Sequence, residues 1–105
     1  MSNVKKLNEE EFVSNVENSN EVILVDFYAT WCKPCTVLAE KLEEFASTSD
    51  TKVFKVDIDE SKELAKKYDI KKLPTLIVFS AGKKVADKIG ITNVAGIKDF
   101  VNQAK

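Results

Sequence analysis

The sequence has no histidine, only two cysteines, two prolines and three glycines among its 105 residues. The absence of histidine removes the commonest metal ligand and the usual general base near neutral pH. Two cysteines are too few to staple a domain of this size, which excludes a fold built on disulfides. Basic and acidic side chains nearly balance, at 16 against 17, so the basic surface that nucleic-acid binding requires is also missing.

Long hydrophobic runs are missing as well. No stretch approaches the roughly 18 apolar residues that a membrane span needs, and residues 1–20 hold no run long enough for a signal-peptide core. We therefore expect a soluble, cytoplasmic protein with neither a membrane nor a nucleic-acid partner. Its cysteines would then meet a reducing compartment, in which a permanent structural disulfide is not expected.

The sequence does contain enough apolar material for one core. Hydrophobic residues make up 44% of the chain and include six Phe, one Trp and two Tyr. This composition excludes intrinsic disorder, which goes with few aromatic residues and a large charge imbalance. We expect a single domain over residues 1–105 and a monomer.

Hydrophobic periodicity and capping signals predict alternating helices and strands. Asn8 and Glu11 have the spacing of a capping box, which predicts a helix to about residue 18 with Phe12, Val13 and Val16 on its apolar face. The other predicted helices run from residue 35 to about 47, around residues 64–68, and over 94–104 after an Asn93 cap. Strands are predicted at 22–28, 53–57, 75–80 and 84–89, with a short edge strand at 4–7 and a hairpin turn at 81–83.

This order of elements predicts an α/β fold. Alternating strands and helices followed by a hairpin indicate a three-layer α/β/α architecture, with a central mixed sheet of four to five strands and four helices. The strand over residues 22–28 is apolar on both faces except at Asp26, as expected for a central strand covered on each side.

The segment Trp31-Cys32-Lys33-Pro34-Cys35 is the one that carries chemistry in its side chains. It follows the central strand and opens the second helix, where α/β folds place their sites. A zinc site would need two more ligands, and the chain has no histidine and no third cysteine. A structural disulfide that closes a loop of four residues would contribute only about 1.9 kcal/mol to stability in the chain-entropy model. A redox-active dithiol is the favoured interpretation of the three.

The predicted helix start suits a redox dithiol. Cys32 falls near the N-cap, where unpaired backbone N–H groups and the positive end of the helix dipole favour a thiolate. Cys35 lies one turn inside the helix and can attack Cys32, so release of a product would be intramolecular. Pro34 fits the first turn, because no amide hydrogen is missed there.

Asp26 is the only charged residue in the apolar run of the central strand. Burial there would raise the pKa of its carboxyl toward neutrality. The alternative is that Asp26 reaches solvent at the end of the strand. Lys55, considered by itself, is expected to be a surface lysine at a strand edge.

Taken together, the whole chain resembles the thioredoxin family. The residues that carry the resemblance are the segment from Val25 to Cys35, Lys55-Val56-Asp57, Leu73-Pro74-Thr75-Leu76, Gly82 and Gly90. The resemblance implies the thioredoxin fold and a thiol–disulfide oxidoreductase that reduces protein disulfides. It also implies that a thioredoxin reductase supplies electrons, that disulfide-containing proteins receive them, and that no metal or cofactor is needed beyond the cysteine pair.

The resemblance also implies roles for the matching residues. Cys32 would be the nucleophile and Cys35 the resolving thiol, while Asp26 would exchange a proton with Cys35 under the influence of Lys55. Pro74 would follow a cis peptide bond and place the backbone of the preceding residue opposite Cys32. The residues implied in substrate binding are Trp31, Lys33, Pro34, Leu73, Pro74 and Gly90.

Four residues depart from the common pattern of the family. Lys33 replaces a glycine, Glu40 a proline that bends the second helix, Tyr28 a frequent tryptophan, and Lys72 a small residue. Lys33 and Lys72 could favour acidic partners; alternatively, the lysines at 66, 67, 71 and 72 only offset a helix dipole and aid solubility.

Lys33 also bears on the redox potential. An exposed cation beside the thiolate contributes about 0.3–1 kcal/mol, which raises the potential by only about 6–21 mV. A strong periplasmic oxidant differs from thioredoxin by about 150 mV. A reductant is therefore expected, with a binding subunit of the same fold or a more oxidising, isomerase-like member as the alternatives.

Overall fold

One mixed sheet organises the protein, and the computed structural model describes residues 2–105. Its strands are β1 (Lys5–Lys6), β2 (Val22–Tyr28), β3 (Lys52–Asp57), β4 (Thr75–Ser80) and β5 (Lys83–Ile89). They lie side by side in the order β1-β3-β2-β4-β5. Strand β2 pairs with β3 in parallel and with β4 antiparallel, so it is the middle strand, as the sequence predicts.

Helices cover both faces of this sheet. They are α1 (Glu9–Phe12), which continues directly into a π-helical turn (Val13–Glu17), α2 (Lys33–Thr48), α3 (Lys62–Lys67) and α4 (Val94–Ala104). The predicted order of elements and the three-layer α/β/α architecture are confirmed. Within residues 2–105, no helix is both long enough and apolar enough to cross a membrane.

The core is divided into two layers by the sheet. On one face, Leu24 and Leu76 of the sheet pack with Leu38 and Leu42 of α2 and with Ile97 of α4. Alternate residues of β2 point to opposite faces, so its neighbours Ile23 and Val25 belong to the other layer. A strand that packs into a core layer on each face is apolar at nearly every position, which explains the composition of β2.

The second layer is rich in aromatic side chains. Phe12 of α1 and Val16 of its π-helical continuation pack against Phe27 and Phe79 of the sheet. The Phe12 and Phe79 rings meet edge to face with centroids 5.4 Å apart, and Tyr68, after α3, meets Phe79 in the same way at 5.1 Å. These contacts fasten the first and third helices to the same face of the sheet.

The capping box at the start of α1 is confirmed. The Glu11 amide donates to Asn8 Oδ1 at 2.8 Å, and the Asn8 amide donates to Glu11 Oε1 at 3.0 Å. The Asn93 cap is confirmed as well, since its Oδ1 accepts from the Gly96 amide at 2.8 Å. Each cap satisfies backbone donors that the first helical turn leaves unpaired.

The expectation for Val13 is wrong. Its side chain is 42% exposed, whereas Phe12 and Val16 are buried. Successive residues of a helix are rotated by about 100°, so Val13 lies beside the face that Phe12 points to. The winding also widens after Phe12, and the Asn18 amide donates to the Val13 carbonyl in a π-helical bond of 2.9 Å.

The hairpin turn is tighter than predicted. Lys83 belongs to β5 and pairs with Ser80, so only Ala81 and Gly82 form the loop. Both have positive φ, 51° and 80° respectively, as a two-residue turn of type I′ requires. The prediction of a three-residue turn missed this because Ala81 is an uncommon residue at a positive φ.

Other boundaries also differ from the predicted ones by one or two residues, as at β1 and α2. Strand β1 is limited to Lys5–Lys6 instead of residues 4–7, because only these two residues pair with β3. Helix α2 begins at Lys33, two residues before the predicted start at Cys35, because Cys32 supplies its cap.

Gly82 provides a test of this packing. A Cβ at Gly82 would overlap the carbonyl oxygen of Glu17, whereas a Cβ at Gly90, also at positive φ, would have no neighbour within 4 Å. We expect Gly82→Ala to lower the free energy of unfolding by about 2–3 kcal/mol, and the matched control Gly90→Ala by about 1 kcal/mol, which is the backbone strain alone. Urea denaturation of the oxidised proteins measures both. Equal losses of unfolding free energy in the two variants would show that the contact between residue 82 and Glu17 is unimportant.

Candidate active site

The cysteine pair lies at the carboxyl end of β2 and at the start of α2. Cys32 is the N-cap of α2, with φ −92° and ψ 108°, and its Sγ accepts a hydrogen bond from the Cys35 amide at 3.2 Å. Cys32 and Cys35 are joined by a disulfide, with their Cα atoms 5.3 Å apart. The structure is therefore that of the oxidised form, and its sulfurs lie where the helix presents unpaired N–H groups.

Local backbone bonds hold Cys32 in this position. Its amide donates to the Ala29 carbonyl at 3.2 Å, which closes a turn after β2, and its carbonyl accepts from the Thr36 amide at 3.3 Å as the first bond of the helix. Pro34 lies in the first turn of α2, where its missing amide hydrogen breaks no helical bond. The Cys32 sulfur therefore lies at the start of α2, and the Cys35 sulfur lies within the first turn of the helix.

Asp26 is buried under this turn. Its side chain is 2% exposed, and Oδ1 has no hydrogen-bond partner among the described residues. Burial raises the pKa of this carboxyl to about 7, although the positive charge of Lys55 opposes the shift. The expectation of a raised pKa is confirmed, and the alternative in which Asp26 reaches solvent is wrong, because both edges of β2 are paired and both of its faces are covered.

Asp26 and Cys35 line the same small cavity, of about 150 Å³. Lys55 lines it too, because β2 and β3 pair in a register that sets Lys55 beside Asp26. Lys55 is half-buried on an internal strand, so the expectation of a surface lysine at a strand edge is wrong. Its Nζ lies 5.5 Å from the centre of the Tyr28 ring, a cation–π distance.

A mostly apolar groove opens on the other side of the disulfide. We call it the redox groove; it has a volume of about 420 Å³ and is lined by Trp31, Cys32, Lys33, Pro34, Ile58, Ile70, Lys71 and Leu73. Trp31 is 69% exposed, and its Nε1 donates to Asp59 Oδ2 at 2.8 Å. That bond fixes the indole at the rim of the groove without burying it.

The residues expected to bind substrate are distributed unevenly around this groove. Trp31, Lys33, Pro34 and Leu73 line it together with Cys32, while Pro74 is buried behind Leu73. The Leu73–Pro74 peptide bond is cis, as the resemblance implies. Gly90 does not line the groove; its amide donates to the Pro74 carbonyl at 2.9 Å, and the space beside its Cα is open.

Sequence reasoning missed Ile58, Ile70, Lys71 and Asp59 as parts of this site. Ile58 and Asp59 come directly after β3, and a position after the carboxyl end of a neighbouring parallel strand was the available signal. Ile70 and Lys71 lie in the connection between α3 and β4. No periodicity marks them, so only the tertiary structure brings them to the groove.

Comparison with known proteins identifies the family. The thioredoxin family model matches residues 3–103. Thioredoxin-2 of Saccharomyces cerevisiae is 38% identical over 92 residues, which cover 87% of this chain and 88% of the relative. A thioredoxin of Staphylococcus epidermidis is 41% identical over 101 residues, or 91% of this chain and 95% of the relative. This chain belongs to the thioredoxin family.

Solved structures agree with this assignment. The thioredoxin of Malassezia sympodialis superimposes with a TM-score of 0.86 at 28% identity, covering 99% of this chain and 92% of that one. As a thioredoxin-family protein with a paired Cys-x-x-Cys site, the chain is a thiol–disulfide oxidoreductase. Within residues 2–105, no three His, Cys, Asp or Glu side chains are grouped so that they could hold a metal ion.

Buried Asp26 should make stability fall as pH rises. Its pKa is about 7 in the folded protein against an ordinary value of 3.8, so folding favours the protonated form. The stabilisation is complete below the unfolded pKa and is lost as the pH rises through the folded value. This loss amounts to about 4 kcal/mol. We expect Asp26→Asn to gain about that much relative to the native sequence between about pH 4 and pH 8, measured by urea denaturation under oxidising conditions.

Asp57→Asn is the matched control for removal of a buried carboxylate. Asp57 Oδ1 accepts a hydrogen bond from the Asp59 amide at 2.8 Å, an interaction that an asparagine oxygen can retain. We therefore expect no comparable gain from this substitution at about pH 8. A stability difference for Asp26→Asn that does not change with pH would contradict the assignment of the buried charge.

Proposed function

We propose that this thioredoxin-family protein reduces disulfides in target proteins, with Cys32 as the attacking thiolate and Cys35 as the resolving thiol. The observation that carries the proposal is the position of Cys32, which lines the redox groove from the N-cap of α2 while Cys35 faces the cavity behind it. One sulfur therefore meets the substrate, and the other is shielded from it.

The first step is attack by Cys32 on a substrate disulfide. In the reduced protein, the Cys35 amide and the positive end of α2 stabilise the Cys32 thiolate, because both present positive charge to the sulfur. The thiolate forms a bond to one substrate sulfur, and the substrate S–S bond breaks. The second substrate sulfur leaves as a thiolate and takes a proton from solvent.

The second step releases the substrate. Cys35 must lose its proton before it can attack Cys32, and the Asp26 carboxylate lines the same cavity. With a pKa of about 7, Asp26 can accept that proton near neutral pH. Lys55 favours the charged form of Asp26 and thus its action as a base. The Cys35 thiolate displaces the reduced substrate and forms the Cys32–Cys35 disulfide, so two electrons have passed to the substrate.

The redox groove is the proposed binding site for an extended substrate segment. Trp31, Pro34 and Leu73 offer apolar contacts on both sides of Cys32, and Lys33 adds a charge at the rim. A segment lying across the groove could pair with the backbone of Leu73, as a strand does at a sheet edge. Pro74 would set the direction of that backbone. The open space at Gly90 would leave room for the segment.

Membership of the thioredoxin family supports a proposal for the partners. A thioredoxin reductase would return electrons to the disulfide, and disulfide-containing proteins would accept them. The steps above need no cofactor other than the cysteine pair itself. We propose that the chain acts as a single-domain monomer in the cytoplasm.

The cysteine roles predict distinct outcomes for two variants. Cys32→Ser should reduce turnover to background in an insulin-reduction assay, because no attacking thiolate remains. Cys35→Ser should instead accumulate mixed disulfides with the substrate, visible by mass spectrometry, because the intermediate cannot be resolved. Ser47→Ala, at an exposed position far along α2, is the control with full activity. Full activity in Cys32→Ser would refute the mechanism.

The reduction potential separates a reductant from an oxidising member of the family. We expect about −270 mV, measured by equilibration with dithiothreitol buffers and thiol alkylation. Lys33 is exposed in the first turn of α2 and favours the reduced form. Lys33→Gln should therefore lower the potential by about 6–21 mV.

Lys98→Gln, on α4, is the control for this measurement and should leave the potential unchanged. A native potential of about −180 mV or higher would point instead to an isomerase or an oxidant. The proposed direction of electron flow would then be wrong.

A further inference from the structure

A second depression lies next to the redox groove and shares Ile70 and Lys71 with it. It has a volume of about 320 Å³ and borders the groove at these two residues. We call it the lysine depression, because Lys71, Lys72 and Lys84 line it. Ile89 also lines it and is 57% exposed, so the depression offers an apolar contact beside its charges.

The charge around the two cavities differs from that of the whole chain. Lys33 of the groove and the three lysines of the depression outnumber the carboxylates there, which are Asp69 and Asp87 of the depression and Asp59 bound to Trp31. The 105 residues together, by contrast, have a net charge of −1. With four lysines against three carboxylates, the surroundings of the two cavities carry a local excess of one positive charge.

Among the described residues, two of these four lysines, Lys33 and Lys72, are free to pair with a partner, and the other two are near carboxylates of this chain. Lys84 is paired with Asp87 at 2.6 Å, and Lys71 lies 3.7 Å from Asp69. Lys33 and Lys72, by contrast, have no acidic partner within 4.0 Å in the part of the chain that the structure describes. Lys72 lies beyond the last turn of α3, so it does not act as a cap of that helix.

The backbone that carries Lys72 is held in place. The buried Thr75 hydroxyl donates to the Lys72 carbonyl at 2.6 Å, and the Ile70 amide donates to the Ala65 carbonyl at 2.9 Å. These bonds tie both ends of the connection between α3 and β4 to regular structure. A charged ligand would therefore meet lysines whose backbone is already ordered, which reduces the entropy lost on binding.

We propose that the lysine depression is a docking subsite for an acidic segment of the target protein, continuous with the segment whose disulfide is reduced. The inference rests on the proposed function, since the groove and the depression would hold one and the same polypeptide. Carboxylates of that segment would pair with Lys72, which has no acidic partner of its own among residues 2–105, and would compete with Asp87 for Lys84. An apolar side chain of the segment would cover Ile89. The subsite would select among targets without taking part in the thiol chemistry.

The expected selectivity is modest and sensitive to salt. One exposed ion pair changes an equilibrium constant by about 1.4- to fivefold, which is the change expected from Lys72. Lys84 should add less, because it must first leave Asp87. The Debye length falls from about 8 Å at physiological ionic strength to about 3 Å at 1 M salt, so the selectivity should fade as salt is added.

The test compares two peptides that share one central disulfide. In one peptide, about six residues on each side include glutamates, and in the other these are glutamines; six extended residues reach about 20 Å. The protein variants are Lys72→Gln/Lys84→Gln and the control Lys41→Gln/Lys98→Gln. Lys41 and Lys98 are exposed on α2 and α4, which cover the other face of the sheet, and both double variants lose the same charge. The readout is the ratio of the rate constants for reduction of the two peptides.

We expect the native protein to reduce the glutamate peptide about 1.4- to fivefold faster than the glutamine peptide at low salt. That ratio should fall close to one in Lys72→Gln/Lys84→Gln, stay near the native value in the control, and decline toward 1 M salt. No preference in the native protein, or an equal loss in both double variants, would overturn the subsite. Failure to reduce either peptide would instead refute the proposed function.

A second copy of the chain is the other possible occupant of the depression. Sedimentation of the native protein and of Lys72→Gln/Lys84→Gln distinguishes it from an acidic target. A dimer that disappears in this variant but persists in Lys41→Gln/Lys98→Gln would assign the surface to self-association and overturn the proposal.

Discussion

The constraint on which the rest of the structure depends is the complete enclosure of β2. Both edges of this strand are paired, and both of its faces are covered by helices. Enclosure holds the end of the strand in one position, so the turn that follows delivers Cys32 to the start of α2. The same enclosure removes Asp26 from water and opposes ionisation of its carboxyl.

Stability and reactivity are opposed at this strand. A neutral residue in place of Asp26 would suit the core, yet a carboxyl with a pKa of about 7 is suited to exchange protons with a buried thiol. Lys55 reduces the cost of ionising Asp26, because its positive charge favours the carboxylate. Its own ammonium group lies over the Tyr28 ring, at a cation–π distance. Buried groups with shifted pKa values are a recurrent feature of functional sites, where part of the stability is given up for chemistry.

Much of this could be predicted from the sequence. The run of β2, the caps at Asn8 and Asn93, and the cysteine pair all depend on neighbouring residues, so local rules are sufficient to find them. The errors occurred where local rules compete. Val13 lies beside the buried face of its helix, and Ala81 takes a positive φ because a two-residue hairpin requires it.

The sequence by itself determined the redox pair, the enclosed carboxyl and the order of the elements, because each is carried by the type and spacing of adjacent residues. Only the tertiary structure decided what surrounds them. The register of β2 and β3 sets Lys55 beside Asp26, and the path of the chain after α3 brings Ile70 and Lys71 to the groove. These contacts join residues far apart in the chain, and no local pattern encodes the packing that makes them neighbours.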